Sequence, residues 1–266
     1  MVRNLWLLDI GNTKVKVVGL VFEEAQLRIS VSSELALFSC ANDWLNTVTP
    51  SGGEVAFASV RSDEYDTEFM NAAEAEGLKI QRIVTEKSAM GLTNSYSRVE
   101  KMGVDRWMAM LGAQLFSQRA YVVADAGTAI TVDAVDQGMH LGGWIAPGMQ
   151  LAKDAVTGNT RRVTQDKQPL QSLTFGDDTE TCLHLGCVAQ LQGMLWQAAR
   201  LMSKQAEDFS IILSGGDAEL LSASDIREDF PQVLVKPNIV LYGLLRSVLT
   251  NLSLEQQKAL ANTISL

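Results

Sequence analysis

The sequence predicts an α/β fold made of two similar halves, and three short segments support this prediction. Residues 9–13 (Asp-Ile-Gly-Asn-Thr) and residues 125–128 (Asp-Ala-Gly-Thr) each follow an apolar run and lead into a second β-like run. Residues 211–218 contain a third apolar run that ends in paired glycines before a helix. A glycine at the end of a strand lets backbone N–H groups approach a phosphate. The repeated strand, turn and strand therefore indicates a duplicated nucleotide-binding fold.

The first half begins with three β-like runs and continues with alternating helices and strands. Apolar periodicity and turn residues predict strands near 5–10, 15–22, 26–33, 54–60 and 79–84, and helices near 41–48 and 64–77. Gly77 is expected to end the second of these helices. Another helix is expected to begin at 104–106, because apolar residues then recur at intervals of three and four, at Trp107, Met108, Leu111 and Leu115.

The second half repeats the opening of the first. We expect strands near 121–126, 129–135, 138–145 and 209–214, a helical stretch through 179–204, and later helices that include an amphipathic one at 254–266. The halves share a topology without obvious sequence identity, and no Pro/Ser-rich linker separates them. The sequence therefore predicts two domains, 1–120 and 121–266, with a nucleotide held in the cleft between them.

Composition and charge exclude several classes of protein. Of the 266 residues, 47% are hydrophobic, which is enough to fill a core, and no run of about eighteen apolar residues or signal peptide is recognisable. We therefore expect a cytoplasmic protein that does not bind membranes. The net charge of -9 disfavours a nucleic-acid partner, which needs a basic stripe. Cys40, Cys182 and Cys187 match no zinc spacing and are expected to be reduced packing residues.

Other phosphate-binding motifs are absent, and the motifs present are individually ambiguous. No Walker-type loop and no Gly-x-Gly-x-x-Gly follows a strand. A carboxylate such as that of Asp9 repels a phosphate unless a cation lies between them, and the usual ion is a Mg²⁺ that keeps most of its waters. A single Asp-x-Gly-x-Thr is often only a turn, and paired glycines also make plain strand-to-helix turns.

In chain order, the three segments resemble the phosphate-1, phosphate-2 and adenosine motifs of the acetate and sugar kinase, Hsp70 and actin superfamily. That resemblance implies duplicated ribonuclease-H-like domains with an interdomain nucleotide cleft. More narrowly, the sequence is similar to the motif series of type III pantothenate kinases, from about residue 5 to about residue 245. The motifs are Gly-Val-Asp-Arg-Trp at 103–107, Asp-Ala-Gly-Thr-Ala at 125–129 with Thr131 and Asp133, residues 142–148, and residues 214–218.

The resemblance implies an activity, its cofactors and its partners. Members of this family use ATP to phosphorylate the primary hydroxyl of pantothenate, the first step of coenzyme A synthesis. They work as homodimers and depend on Mg²⁺ with ATP and on a monovalent cation, K⁺ or NH₄⁺. We therefore expect this chain to bind ATP and pantothenate as a homodimer.

The resemblance also assigns roles to residues. Asp105 is expected to be the catalytic base that takes the hydroxyl proton, Asp125 to hold the monovalent cation, and Asp9 to lie near the Mg²⁺ and phosphates. The expected ATP-binding residues are Asp9, Ile10, Gly11, Asn12, Thr13, Lys14, Val15, Lys16, Thr128, Gly215 and Gly216. The expected pantothenate-binding residues are Tyr96, Gly103, Val104, Asp105, Arg106 and Thr179.

Several of these residues have a simpler structural interpretation. Asp105 would also suit the first turn of a helix because the helix dipole favours a carboxylate there. Arg106 would also suit a surface ion pair with Glu100, and Thr179 a helix start. Lys16 alternates with valines and so would also suit the solvated face of a strand. Val99 stands where many family members have a proline, which puts the rigidity of the preceding loop in question.

Two other functions are compatible with the fold. One is a different enzyme of the superfamily, such as a sugar kinase or an exopolyphosphatase. The other is a regulator without catalytic activity, since some relatives have been labelled accessory factors for transcription. A pure scaffold has no use for the carboxylates of Asp9, Asp105 and Asp125 together, so the sequence favours a kinase.

Overall fold

The chain folds into two units, and a β-sheet forms the centre of each. The computed structural model describes residues 3–23, 26–36, 53–117, 119–158, 173–222, 226–230, 232–264 and 266. The first unit comprises Met1–Phe116 together with Ile239–Leu266, and the second comprises Ser117–Asn238. The helix expected near 41–48 and the side chain of Cys40 lie outside the described residues.

Five strands form the sheet of the first unit. In chain order, the elements up to residue 113 are β1 (Arg3–Ile10), β2 (Lys14–Glu23), β3 (Gln26–Ala36), β4 (Glu54–Ser59), α1 (Asp63–Ala75), β5 (Lys79–Arg82), β6 (Ser88–Ala89), β7 (Leu92–Thr93) and α2 (Val104–Ala113). The sheet order is β3-β2-β1-β4-β5, with β1, β2 and β3 antiparallel and β1, β4 and β5 parallel. The predicted strands and the starts of α1 and α2 are confirmed to within three residues, the largest difference being at the end of β3.

The core of the first unit follows from alternation along its strands. Residues on one face of β1 and β2 are buried together with the aromatic side chain of Phe57 on β4. The ring of Phe69 on α1 meets that of Phe57 edge-on, with centroids 5.2 Å apart, which is a favourable geometry for two aromatic rings. Ser62 caps the start of α1 by accepting from Tyr65 N. Gly77, with φ +74°, follows the end of α1 as expected.

The second unit begins with the same arrangement of strands. Its elements are β8 (Ala120–Ala126), β9 (Ala129–Asp136), β10 (Met139–Pro147), α3 (Met149–Thr157), α4 (Thr179–Met202), β11 (Ser210–Ser214), α5 (Ala218–Ser222), α6 (Ile226–Asp229) and β12 (Val233–Val235). β9 lies antiparallel between β8 and β10, and β11 is parallel to both β8 and β12. Each unit thus places a hairpin beside a parallel strand, which confirms the predicted duplication of topology.

The C-terminal segment returns to the first unit as two helices, α7 (Ile239–Val248) and α8 (Leu254–Thr263). This differs from the division expected at residue 120, which assigned 239–266 to the second domain. The reason is a close contact between α2 and α7. A Cβ added to Gly112 would overlap the carbonyl oxygen of Ile239, and one added to Gly243 would overlap that of Met108. Two helix backbones touch directly at this crossing.

A buried arginine on α7 strengthens the same contact. Arg246 donates hydrogen bonds to the carbonyl oxygens of Leu111 at 3.2 Å and Met90 at 2.6 Å, and to Gln257 on α8 at 3.2 Å. Hydrogen bonds to a charged donor are stronger than those between neutral groups. The loop around Met90, α2 and α8 are therefore all held by one side chain. Among the helices that the structure describes, none has the length and apolar character needed to cross a membrane.

Substitution of Gly243 with alanine should destabilise the protein. The added methyl group would overlap backbone, which cannot move as a side chain can, and such overpacking costs about 1–3 kcal/mol. This exceeds the roughly 1 kcal/mol that alanine gains over glycine in a helix. Urea unfolding of Gly243→Ala should show a lower free energy of unfolding than the wild type.

Gly186→Ala is the matched control, because a Cβ added to Gly186 on α4 meets nothing within 4 Å. It should leave stability unchanged or raise it by up to about 1 kcal/mol. Equal stability of the two variants would show that α2 and α7 do not touch as described.

Candidate active site

The first predicted phosphate loop is the tight turn between β1 and β2. Gly11 N donates to Lys14 O at 3.0 Å, and a Cβ on Gly11 would lie 3.1 Å from that oxygen. Asp9 is paired with Lys16 across the hairpin, so the two side chains share one face of the sheet. Asn12 lies at the exposed tip of the turn. The turn therefore presents backbone N–H groups, a carboxylate and a lysine close together.

Two of the expected ATP-binding residues can contribute only through their backbone. The side chains of Ile10 and Val15 are 1% and 0% exposed and belong to the core of the first unit. They are paired across the hairpin on the face opposite to Asp9. Thr13 and Lys14 are exposed at the turn.

A cavity of about 700 Å³ lies at the carboxyl ends of β4 and β5 in the first unit. Its lining includes Ser59, Val60, Arg61, Arg82, Thr85, Lys101, Gly103 and Val104. The carboxyl end of β1 is next to it, because Val60 N donates to Ile10 O at 3.1 Å. Ligands of open α/β sheets bind outside the carboxyl ends of parallel strands. The cavity is therefore a candidate substrate site beside the first phosphate loop.

The charges around this cavity leave a local excess of cations. Arg82 is paired with Asp63 and with the buried Asp66, in each case at 2.8 Å. Arg61 stacks on the ring of Tyr65, with its guanidinium carbon 5.5 Å from the ring centroid. Among the described residues, Arg61 and Lys101 form no ion pair. The lining thus carries the cations Arg61, Arg82 and Lys101 and the acids Asp63 and Glu100, a small local excess of positive charge in a chain that is acidic as a whole.

The start of α2 lies at this cavity, because Gly103 and Val104 belong to its lining, and Asp105 is the next residue of the helix. Gly103 is the N-cap residue and has no side chain to cap the helix, so the Asp105 carboxylate takes that role by accepting from Arg106 N at 2.8 Å. A Cβ on Gly103 would overlap Asp105 Oδ1, which explains why glycine precedes this aspartate. The interpretation of Asp105 as a first-turn carboxylate is therefore confirmed, and its carboxylate has a defined orientation.

Arg106 is buried and contacts the predicted substrate tyrosine. It is 4% exposed, and its Nη1 donates to the hydroxyl of Tyr96 at 2.9 Å. The alternative of a surface arginine paired with Glu100 or another acid is wrong, because Arg106 is buried; Glu100 pairs with Arg98 at 3.0 Å. Burial of a guanidinium is costly unless it is hydrogen-bonded, so Tyr96 and Arg106 hold each other in place.

Two residues that sequence reasoning missed hold the loop that carries Tyr96. Lys87 Nζ donates to the carbonyl oxygens of Asn94 at 2.7 Å and Tyr96 at 3.2 Å. The buried Asn94 accepts from Tyr96 N at 2.9 Å, the kind of local turn for which asparagine is a recognisable signal. Val99, which replaces the proline of many relatives, begins a short 3₁₀ helix at Val99–Lys101. Hydrogen bonds therefore fix this loop without the proline.

In the second unit, the predicted phosphate-2 turn meets the start of α3. Gly127 N donates to Ala129 O at 3.0 Å, and Gly148 N donates to Thr128 O at 3.1 Å. A Cβ on Gly148 would overlap Gly127 O, so the α3 N-cap lies directly on the turn. Asp125 is at the end of β8, opposite Thr131.

The paired glycines of the adenosine motif pack on the end of the same strand. Gly215 has φ +89°, and a Cβ there would overlap the backbone of Ala126. Asp217 N donates to Ala126 O at 3.1 Å. A Cβ on Gly216 would meet nothing within 4 Å, so its backbone is open to a ligand. The second phosphate turn and the paired glycines therefore meet at Ala126.

Two pairs of polar side chains in the second unit lie outside the expected site. Lys153 on α3 is 2.7 Å from His184 Nδ1 on α4, and its charge also acts on Asp217, whose pKa is raised by burial. No motif in the sequence indicated this cluster. Asp133, which belongs to the family motifs, forms a fully buried pair with His140 at 3.0 Å and so has a structural role.

Thr179 is the first residue of α4 and is exposed. The helix is capped by its neighbour, because Asp178 accepts from Thr181 N and Thr181 Oγ1, each at 2.8 Å. These bonds lower the pKa of Asp178, the backbone donor having the largest effect. The Thr179 hydroxyl is therefore not needed to start the helix.

The residues of the first loop would fit a divalent cation such as Mg²⁺. Mg²⁺ prefers oxygen ligands and is commonly held by one or two carboxylates together with substrate phosphates. Asp9 supplies such a carboxylate beside a turn of backbone N–H groups. In the described part of the chain, no three His, Cys, Asp or Glu side chains cluster as a metal site.

Comparisons with known proteins agree on the fold. A protein from Campylobacter jejuni provisionally described as a Baf family transcriptional activator has a TM-score of 0.58 at 18% identity, covering 92% of this chain and 98% of its own. A protein from Sinorhizobium meliloti provisionally described as a 2-dehydro-3-deoxygalactonokinase also has a TM-score of 0.58, at 12% identity, covering 92% and 99%. The chain therefore shares the fold of these two proteins, an α/β fold with two sheets.

Sequence comparisons identify the family. The type III pantothenate kinase family model matches residues 5–200. Proteins named type III pantothenate kinase include one from Ectopseudomonas mendocina, 36% identical over 70% of this chain and 76% of the relative. Another, from Pseudoalteromonas atlantica, is 31% identical over 93% of this chain and 98% of the relative. The chain belongs to the type III pantothenate kinase family.

Proposed function

We propose that this chain transfers the γ-phosphoryl group of ATP to the primary hydroxyl of pantothenate, forming 4′-phosphopantothenate in the first step of coenzyme A synthesis. The observation that carries the proposal is the Asp105 carboxylate at the start of α2, beside a cationic cavity. Family membership supports the choice of substrate. We place the reaction in the cytoplasm, where ATP is available.

Asp105 is suited to act as the general base. Its hydrogen bond from Arg106 N at 2.8 Å fixes the orientation of the carboxylate. A carboxylate can accept several hydrogen bonds at once, which suits it to accept the hydroxyl of the substrate. Phosphoryl transfer has a loose transition state, and the base mainly orients the hydroxyl and takes its proton late. An aspartate needs no unusual pKa for this role.

The cavity and the loop beside it are suited to an anionic acceptor. Pantothenate carries a carboxylate, and Arg61 and Lys101 supply positive charge at the cavity. Tyr96 and Arg106 form a rigid pair next to the base. A planar guanidinium matches a carboxylate well. In our proposal Gly103 and Val104 line the acceptor site, and Thr179 contributes to the acceptor site of a second subunit.

The two phosphate turns and the paired glycines are suited to the nucleotide. We propose that the turn at 9–16 binds nucleotide phosphates through backbone N–H groups and Lys16. Thr128 is the proposed phosphate-binding residue of the second unit. The open backbone at Gly216, next to Gly215 in the paired glycines, would lie against the flat base or ribose. Mg²⁺ near Asp9 neutralises phosphate charge when it is bound.

A sugar kinase is the strongest competing function, because the fold is shared. The cations at the cavity favour a charged acceptor, whereas a neutral sugar gains nothing from them. Release of ADP in the presence of pantothenate, but not of a panel of sugars, is the expected result. Equal turnover of a sugar would overturn the proposed substrate.

Asp105→Asn should abolish most of the activity without unfolding the protein. Asn can still accept from Arg106 N and start the helix, since Asn and Asp cap about equally well. It cannot take the hydroxyl proton, and loss of a positioned base costs on the order of 10²–10⁴ in rate. The loss should appear in kcat, with the KM for ATP little changed.

Glu64→Gln, which removes an exposed acid from α1, is the control for the change in charge and should retain full activity. Retention of more than about a third of wild-type kcat by Asp105→Asn would contradict the assignment of the base, because it lies far outside the range for such a loss.

We propose that activity requires K⁺ or NH₄⁺ in addition to Mg²⁺. Asp125 beside a polyphosphate leaves surplus negative charge that a weakly hydrated cation offsets. The initial rate should be high in K⁺ buffer and low in Na⁺ buffer of equal ionic strength, and Asp125→Asn should lose the difference. Equal rates in both buffers would assign Asp125 another role.

We also propose that the chain forms a homodimer. The second unit exposes a groove of about 470 Å³ whose lining includes Leu141 and Trp144. Their neighbour Ile145 is 63% exposed, and apolar patches of this kind often mark protein interfaces.

Light scattering at micromolar concentration should give twice the mass of one chain. Ile145→Glu should shift the mass toward that of a monomer. The control Leu234→Glu on β12 should leave the mass unchanged. A wild-type protein with the mass of a monomer would exclude an acceptor site shared between subunits.

A further inference from the structure

An ammonium group and an imidazole meet between α3 and α4 of the second unit. Lys153 Nζ lies 2.7 Å from His184 Nδ1. A protonated lysine can only donate, so Nδ1 must accept, which requires a neutral imidazole with its proton on Nε2. Burial, and secondarily the charge of Lys153, lower the pKa of His184, which favours that neutral form.

The pair is not explained by stability alone. His184 Nε2 is buried and has no hydrogen-bond partner in the part of the chain that the structure describes. A buried donor without a partner carries an energetic cost. Lys153 forms no ion pair with a carboxylate among the same residues. The imidazole therefore holds an ammonium whose charge remains available to an anion.

The start of α3 and the charge of Lys153 relate this pair to the proposed nucleotide site. Gly148, at the start of α3, rests on the turn at Thr128. Side chains of a helix lean toward its N-terminus, so Lys153 leans toward that turn. Its charge also acts on Asp217, which follows the paired glycines and donates its N–H to Ala126 O at 3.1 Å. Lys153 thus lies on the helix that starts at the second phosphate turn, and its charge reaches the residue that follows the paired glycines.

We infer that Lys153 binds a nucleotide polyphosphate in the second unit and that His184 is a positioning residue that holds its ammonium in place. This inference rests on the proposed use of ATP and adds a binding residue to that site. The need for a cation follows from charge: Asp125 and Asp217 already lie at these turns, and a polyphosphate adds further negative charge. A lysine ammonium suits this task as a compact point charge.

The inference has a pH signature. Helix α4 packs against α3, α5, β8 and β9, and among the charged groups that the structure describes on these elements, Lys153 is the one that acts on His184. Cys187 on α4 and Asp217 face the same ammonium. Protonation of His184 removes the acceptor at Nδ1 and places two cations together. Because burial lowers the pKa of His184, the acceptor at Nδ1 is lost only at a pH below the ordinary pKa of a histidine. As the pH falls through that lower range, nucleotide affinity should fall too.

The test measures binding of MgATP by calorimetry in the absence of any acceptor. Lys153→Met should weaken binding by about tenfold or more, the loss expected for one hydrogen bond to a charged group. The matched control, Lys204→Met, replaces an exposed lysine of the same unit and should bind as the wild type does. Equal affinity of Lys153→Met and the wild type would overturn the inference.

His184→Gln separates positioning from a purely structural role. Gln keeps an acceptor oxygen for Lys153 but does not titrate, so it should bind MgATP about as tightly as the wild type at pH 7.5. Between pH 7.5 and pH 4.5, a range that extends well below the ordinary pKa of a histidine, the wild type should lose affinity several-fold more than His184→Gln does. Comparison of the two proteins at each pH cancels the effect of protonating ATP itself. Parallel pH profiles would overturn the role of His184. Since these measurements need no acceptor, failure to phosphorylate pantothenate would refute the proposed function without affecting them.

Discussion

The direct contact between the backbones of α2 and α7 is the constraint on which the first unit depends. Gly112 and Gly243 leave no room for a side chain at this crossing, and Arg246 ties both helices to the loop at Met90. The position of α2 determines where its first turn lies, and therefore where the Asp105 carboxylate points. A C-terminal helix, distant in sequence, thus supports the proposed base through helix packing and without touching the substrate.

The second unit depends on close approach of a different kind. Three glycines, at 127, 148 and 215, bring separate turns against the end of β8. A Cβ at position 148 or 215 would overlap neighbouring backbone, so these residues are required by packing as well as by ligand approach. This explains why motifs that are widely separated in the sequence belong to one site. It also explains how Lys153, which is in no motif, comes to lie near them.

Local charge offsets the acidity of the chain as a whole. With a net charge of -9, the protein should repel both ATP and an acidic acceptor at long range. The structure concentrates cations at two places, Arg61 and Lys101 at the cavity and Lys153 beside the paired glycines. Each is left without a carboxylate partner among the described residues, while nearby arginines such as Arg82 are neutralised. Ion pairs with carboxylates therefore distinguish the cations that stabilise the fold from those that can bind a ligand.

The sequence alone determined the order of strands and turns, because the alternation of apolar residues and the positions of glycines are local properties. The hairpins that turn at Gly11 and Gly127 lie where they were expected. It also indicated the family, since Gly103, Asp105 and the paired glycines are contiguous motifs. It could not assign residues 239–266 to the first unit, because the contact of Gly243 with Met108 joins residues far apart in the chain. Nor could it find Lys87, Lys153 or His184, whose roles arise from hydrogen bonds between separate segments. Only the tertiary structure decided these, because burial and distance determine which polar groups are paired and which remain available.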